Sequence, residues 1–418
     1  MNKLASNQEG GSEKPFPQRI SREAFPHQPP EGATKLPATK QNVEQLLKQC
    51  KVNVSYDVIK KRQSFTRNGE ALKFSDLIGL ANLNSLNSPW FGDFIQEIAE
   101  SNPLNPVRDW IESKPWDGTD RLCALYETVT CDEEFHNGLK CLLINHWLRS
   151  AVAAAAVDDF RSRGVLTFQG PQGCGKTSWI ARLVPSGLTG DFVKLDHHLD
   201  PHNKDSVFIA VSHWITEIGE LDSSFKKDVA RLKGHITNSC DKLRLPYAKS
   251  PIEMKRKTVY AASVNDPHFL IDQTGNNRFW TIPVVKLDYR HEIDMQQVFA
   301  QLLVEVNNGA EWWLSPAQEK LLEDHNKRFQ AVSVIEERLL DALEREKGAP
   351  RYMTAMQVLQ AIGFNSPTNP QCRECGAILR QRYGPPKRVD GRTRWQVPLK
   401  TTEQAWEAFC PQEDEDIY

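Results

Sequence analysis

The stretch VLTFQGPQGCGKTSW, residues 165–179, decides the fold. A short apolar run, Val165, Leu166 and Phe168, meets a glycine-rich loop ending in Gly175, Lys176 and Thr177, and helix-forming residues follow from Ser178 to Leu183. The spacing GxxxxGK[ST] is that of a phosphate-binding P-loop, and each position has a physical task. Gly170, Gly173 and Gly175 let backbone N–H groups curl around phosphate oxygens, and Lys176 neutralises the β/γ charge. Thr177 supplies a hydroxyl to Mg²⁺, and Ser178 opens the helix whose N-terminus faces the phosphates. The expectation is an α/β core binding ATP and Mg²⁺.

Downstream, HWITEIGELD (213–222) places an apolar strand just before Glu217 and Glu220, as a Walker B element requires. One carboxylate there holds Mg²⁺, which points to Glu217, and a second orients the attacking water. The two glutamates are three residues apart rather than adjacent, so which one acts on water is open. FKKDVARLKGHIT (225–237) is a helix pattern. Residues 241–257 then gather six basic residues against two acidic ones: Lys242, Arg244, Lys249, Lys255, Arg256 and Lys257. Pro246 and Pro251 exclude a helix, so this is a loop or hairpin suited to nucleic-acid phosphates, with a solvated turn as the plainer reading.

TVYAASVND (258–266) is a buried strand ending in Ser263 and Asn265. Of these Asn265 is the candidate sensor, able to touch both a γ-phosphate and the attacking water. In DQTGNNRFWTIPV, Arg278 follows a turn and precedes another strand, the place of an arginine finger for a neighbouring subunit; the plainer reading is an ion pair with Asp272.

Upstream, residues 1–40 carry six prolines and no apolar periodicity, which predicts a tail without structure. Residues 41–134 read as a small α+β and helical module, with strands around an Asn68-Gly69 turn, and the core follows over 135–332. Trp110 and Trp116 read as packing rather than base-stacking residues.

Composition is that of a globular chain, with 39% hydrophobic and 25% charged residues. The net charge of −2 means that a polyanion must be met by a local patch. Nine scattered cysteines without a secretory signal suit a reducing cytoplasm and exclude a disulfide framework. The most apolar stretch, 142–157, is interrupted by Asn145, His146 and Arg149 and does not read as a membrane span.

Taken in order, the P-loop, WITEIGEL, RLKGHIT, LRLPYAK, AASVN and DQTGNNRFW closely resemble the virulence-associated E family, the superfamily 3-like helicase ATPases of phages, prophages and phage satellites. NPVRDWIESKPWDGTDRL and EWWLSPAQEKLLEDHNKRF resemble it too, so the likeness spans residues 50–335. It implies an AAA+-type core that assembles as a ring, usually a hexamer, hydrolyses ATP between subunits and translocates on a single DNA strand in its pore. Carried over, Gly170, Gly175, Lys176 and Thr177 bind ATP, Glu217 and Glu220 form Walker B, Asn265 is the sensor and Arg278 the finger. Lys242, Arg244 and Lys249 take the place of a pore hairpin. The chain ahead of the core is too short, and too poor in acid clusters, for a primase domain, so a separate primase or host replication protein is an expected partner. The N-terminal module is a candidate oligomerisation collar.

Residues 333–400 read as three helices and a hairpin turning at Asp390-Gly391, a winged helix. Eight basic residues against two acidic lie between Cys372 and Lys400, Arg380, Arg382, Lys387, Arg388, Arg392 and Arg394 among them. That charge suits duplex DNA, and a protein-interaction module is the rival use. Cys372 and Cys375 form a lone CxxC that reads as packing, and the acidic tail 401–418 as solvated. The expected whole is an ATP-dependent DNA helicase or translocase in replication of a mobile element. Its alternative is a nucleotide-controlled DNA-binding regulator or phage-interference factor that unwinds nothing.

Overall fold

The structure, a computed structural model, describes residues 16–219, 221, 231–243, 252–270, 276–331, 333–345 and 347–399. The chain divides into two units, Met1–Phe269 with Thr274–Lys327, and Leu270–Gln273 with Arg328–Tyr418.

The first unit opens with a small module. Helix α1 (Lys40–Gln49) precedes strands β1 (Val52–Asp57), β2 (Arg62–Arg67) and β3 (Glu70–Ala71), then helices α2 (Phe74–Leu83) and α3 (Phe91–Glu100) and strand β4 (Pro103–Leu104). The sheet order is β3-β2-β1-β4. Asn68 and Gly69 both take left-handed φ, 52° and 84°, as the tight turn between β2 and β3 requires. Residues 16–39 correct the expectation of a tail without structure. Phe25 and Leu36 are buried in the module core with Val43, Leu46 and Ile95. Buried Asn42 accepts from His27 N and donates to the carbonyls of His27 and Pro37, so one amide satisfies backbone that lacks regular partners. Proline density hid this segment because its order comes from docking.

The central sheet follows. Helices α4 (Pro106–Ile111) and α5 (Leu122–Glu127), strand β5 (Val129–Cys131) and the long helix α6 (Asn137–Ala156) lead into β6 (Val165–Gln169). After the loop come α7 (Lys176–Arg182), α8 (Ser186–Phe192), β7 (Val193–His197), α9 (Lys204–Val211), β8 (Ile215–Ile218), the hairpin β9 (Cys240–Leu243) and β10 (Ile252–Lys255), then β11 (Val259–Val264) and β12 (Phe279–Leu287). Helices α10 (Met295–Asn307) and α11 (Pro316–Asn326) close the unit. The six-stranded order is β5-β12-β6-β11-β8-β7, parallel throughout except β5. β6, β8 and β11 are buried along almost their whole length, Thr167, Thr216 and Glu217 included, because both faces of a parallel sheet are covered. On α6, Trp147 is fully buried and its indole N–H donates to Tyr260 O at 2.7 Å.

Residues 106–131, expected within the N-terminal module, pack here instead. Val107, Ile111, Leu125 and Val129 join the same core as Trp147 and Phe168, and β5 pairs with β12. Trp110 packs edge-on against Trp214 and Phe299 at 6.1 and 5.7 Å between ring centroids. Local periodicity could not separate a module helix from a core helix, since both present one apolar face.

The second unit runs α12 (Val334–Arg345), β13 (Lys347–Met353), α13 (Ala355–Ala361), α14 (Asn369–Tyr383), β14 (Lys387–Val389) and β15 (Arg392–Leu399). Its sheet order is β13-β15-β14, antiparallel. Cys375 is buried among Val358, Leu379 and Val397, where burial pushes its thiol up to about 12. β13 was not legible in sequence: KGAPRYM carries Gly and Pro, and only pairing with β15 makes it a strand. No helix among the described residues is long and apolar enough to cross a membrane.

Candidate functional site

The carboxyl ends of β6, β8 and β11 lie side by side, and the residues that follow them meet there. Gly170 N donates to Val264 O at 3.0 Å, stitching the loop to β11. A Cβ at Gly170 would stand 2.2 Å from Val284 O, so only glycine lets β6 leave the sheet at this point. Gly175 takes a φ of 101°, and its own Cβ would meet Leu287 O at 2.8 Å. Leu287 N donates to Cys174 O at 2.8 Å, fastening the loop to the end of β12 as well.

Lys176, 8% exposed, donates to Gly170 O at 2.7 Å, Pro171 O at 2.9 Å and Asn265 Oδ1 at 2.8 Å. Burial pulls its pKa below that of a free lysine. Next to it, Thr177 Oγ1 donates to Glu217 Oε1 at 2.7 Å, and Ser263 Oγ donates to the same oxygen. Asp196 N donates to Glu217 Oε2 at 3.2 Å. Glu217 is fully buried. Both of its oxygens are engaged, which suits a group that orients the Thr177 hydroxyl more than one that takes a proton from water. Ser178 is exposed in the first turn of α7, and Gly173 takes a left-handed φ of 83°.

Sequence reading singled out Asn265 from the end of β11. In space Ser263 is equally involved, on Glu217, and Asp196 adds a backbone donor from β7. Asp196 stands in left-handed φ, 49°, and a Cβ at Gly219 would lie 2.1 Å from its Oδ1, so the chain after β8 passes directly over it. No local signal marks Asp196, because its partnership exists only through the pairing of β7 with β8. Glu220 lies outside the described residues.

Arg278 sits elsewhere. It ends the turn Asn276–Arg278 ahead of β12, and Phe279 pairs with Val165, the first residue of β6. It is therefore at the amino end of the sheet, whereas Lys176 is past the carboxyl end. Asn326 Nδ2 donates to Asn276 O and Phe279 O at 2.9 and 2.8 Å, and Lys233 Nζ to Asn276 Oδ1 at 3.2 Å, so the turn is held from two sides. Asp272 lies outside the described residues.

The basic cluster divides. Lys242 and Lys255 are exposed on the hairpin, Lys242 beside Glu253 at 3.2 Å. Arg244 and Lys249 lie outside the described residues. Arg256 and Lys257, expected to face nucleic acid, do not. Arg256 is 1% exposed, with Nε and Nη2 on both oxygens of Asp241 at 2.7 and 2.6 Å and Nη1 on Tyr260 Oη at 3.0 Å. Lys257 is buried and donates to Val157 O at 2.9 Å. Charge counting treats every cation in KRK alike, whereas strand alternation and the return into β11 turn two of them inward.

Arg256→Ala is thus expected to destabilise the fold by about 3–5 kcal/mol, because Asp241 would be left charged and buried. The urea midpoint would fall, and the Arg256→Leu/Asp241→Leu pair should regain most of the loss. A midpoint unchanged in Arg256→Ala would contradict the assignment.

Another buried cation joins this hairpin to the small module. Lys61 donates to Val58 O at 2.7 Å and Lys255 O at 2.6 Å, and burial pulls its pKa down to about 7. Beside it lies a cavity of about 930 Å³, lined by Tyr56, Phe65, Phe74 and Met254 and sharing no residue with the glycine loop. In the second unit Arg380, Arg382, Lys387, Arg388 and Arg392 are exposed. Arg394 is half-buried, 3.4 Å from Asp390.

These features define a mixed α/β chain whose polar and charged groups converge on a glycine loop at the carboxyl edge of a parallel sheet. The chain belongs to the virulence-associated protein E-like domain family, whose model matches residues 111–331, more than half of its length. No curated protein matches it. Solved structures similar to it include the A form apo structure of the NrS-1 C-terminal region (305–718), at 13% identity and a TM-score of 0.41, covering 86% of this chain and 99% of that one. A second apo structure of the same NrS-1 region matches at 13% identity and a TM-score of 0.37, with 86% and 98% covered.

Proposed function

We propose that this protein is an AAA+-type ATPase that acts on DNA in the replication of a phage, prophage or phage satellite. The observation that carries the reading is the meeting of Lys176, Thr177, Glu217, Ser263 and Asn265 from three adjacent parallel strand ends. A triphosphate on the loop would take over Lys176 from the carbonyls of Gly170 and Pro171. One buried carboxylate and one hydroxyl are the donors expected for Mg²⁺, which is held largely by nucleotide phosphates and water. Thr177 and Glu217 would hold the ion, which when bound neutralises charge on the phosphates. Asn265, already on Lys176, would sense the γ-phosphate, and Glu217 would keep the Thr177 hydroxyl oriented.

Membership of the family supports the phage and replication setting. The family resemblance implies a ring, usually a hexamer, and the place of Arg278, at the amino end of the sheet, supports a role at a neighbouring subunit's nucleotide rather than at its own. The order α12-β13-α13-α14-β14-β15 supports a winged helix, with α14 and the β14–β15 hairpin carrying exposed cations toward duplex DNA. Among the described residues, Lys242 and Lys255 are the exposed hairpin cations that would meet a single strand. Their double reversal to Glu is expected to weaken single-strand binding and flatten its salt dependence by roughly 0.7 log unit per lost phosphate contact. A slope identical to that of the unsubstituted chain would take the hairpin off the DNA path.

The deciding experiment is ATP hydrolysis with and without single-stranded DNA. Strong stimulation by DNA supports a motor. Hydrolysis indifferent to DNA, with no strand displacement on a forked duplex, supports a nucleotide-controlled regulator instead.

A further inference from the structure

One flank of the glycine loop is made by residues that the P-loop pattern does not include. At the end of β12, Leu287 N donates to Cys174 O at 2.8 Å, and directly after it Asp288 N donates to Thr128 O at 2.8 Å. Thr128 is itself fixed, accepting from the Trp179 indole at 2.7 Å and donating to Leu125 O at 2.6 Å. The next residue, Tyr289, is therefore carried on backbone clamped from two sides. Its ring edge lies against the loop: a Cβ at Gly175 would be 3.0 Å from Tyr289 Cδ1. The Arg290 guanidinium stands 5.6 Å from the ring centroid, and the residue remains 37% exposed.

An exposed tyrosine is ordinary on a protein surface, but this one is held rigid at the edge of a loop built for phosphates. A ligand whose phosphates occupy that loop carries its base one ribose away, within reach of the loop's flank. We propose that Tyr289, with Arg290 beside it, is the platform on which the nucleotide base stacks. The inference rests on the nucleotide reading above and deepens it by naming the group that contacts the base. A flat aromatic ring offers every base a π-face, with the larger purines gaining most, and a guanidinium adds cation–π attraction. The chemistry recognised is a purine nucleoside triphosphate, its phosphates read by Lys176 and its base by Tyr289.

The test compares ATP with inorganic tripolyphosphate, which has phosphates and no base, by equilibrium binding to the full chain and to Tyr289→Ala and Tyr289→Phe. Expected is about tenfold weaker ATP binding in Tyr289→Ala, within the range that base stacking contributes. Tripolyphosphate binding should be unchanged, and Tyr289→Phe should bind ATP like the unsubstituted chain. Unchanged ATP affinity in Tyr289→Ala would overturn the proposal. An equal loss for ATP and tripolyphosphate would overturn it too, since the ring would then only be shaping the loop. Failure of the unsubstituted chain to bind either ligand better than Lys176→Ala does would refute the nucleotide reading itself, and this inference with it.

Discussion

Replacing Lys176 by alanine is expected to lower ATP hydrolysis by at least about 10²-fold, the scale on which removing one preorganised donor acts. The residue is 8% exposed, and its ammonium satisfies three acceptors, Gly170 O, Pro171 O and Asn265 Oδ1. It thus sits at the junction of loop and β11, and no other Lys or Arg side chain is hydrogen-bonded to the loop carbonyls among the described residues. Its loss removes the positive charge that phosphates would meet and leaves Asn265 without the donor that orients it. Thermal melting of the variant, measured alongside, separates lost chemistry from lost fold. A Lys176→Ala chain that keeps half the normal rate would sink the assignment.

Arg278→Ala is expected to cut turnover by about 10³-fold or more while sparing nucleotide binding, as loss of an arginine finger does. The reason is positional. Phe279 pairs with Val165, and five residues of β6 at about 3.3 Å each separate that end of the sheet from the loop, roughly 16 Å. An arginine cannot span that distance to Lys176 of its own chain, so any γ-phosphate it meets belongs to a neighbour. Mixing Arg278→Ala with Lys176→Ala subunits tests this directly. Some interfaces would then pair an intact Arg278 with an intact Lys176, and part of the turnover should return. Two inactive variants that stay inactive when mixed, or an Arg278→Ala chain that turns over normally, would remove Arg278 from catalysis.

The two residues show how differently a sequence reports its parts. Lys176 was legible because its neighbours in sequence are its neighbours in space: the loop is local, and Gly173 and Gly175 answer to local backbone demands, left-handed φ of 83° and 101°. The placement of Glu217 on a buried strand was also legible, since WITEI is an apolar run that stops at a carboxylate. Asp196 and Tyr289 were not. One enters through the pairing of β7 with β8, the other through the pairing of β12 with β6, and neither register is written in the residues around it.

The same division holds for charge and order. Lys255, Arg256 and Lys257 are equivalent in a count of cations, yet Lys255 faces water and the next two are buried. The difference is the Asp241 carboxylate, which β9 brings to Arg256. Residues 16–39 have the composition of a tail, and Asn42 and the module core make them part of the fold.

The sequence by itself determined the glycine loop, the strands that flank it and the helices of the second unit, because those depend on short-range periodicity and on backbone conformations that few residues can adopt. Only the tertiary structure decided which polar groups share a site, which cations are spent inside, and that Arg278 lies at the far end of the sheet from Lys176. Those facts follow from strand order and register, which are set by long-range burial of apolar faces and leave no mark on any one stretch of chain.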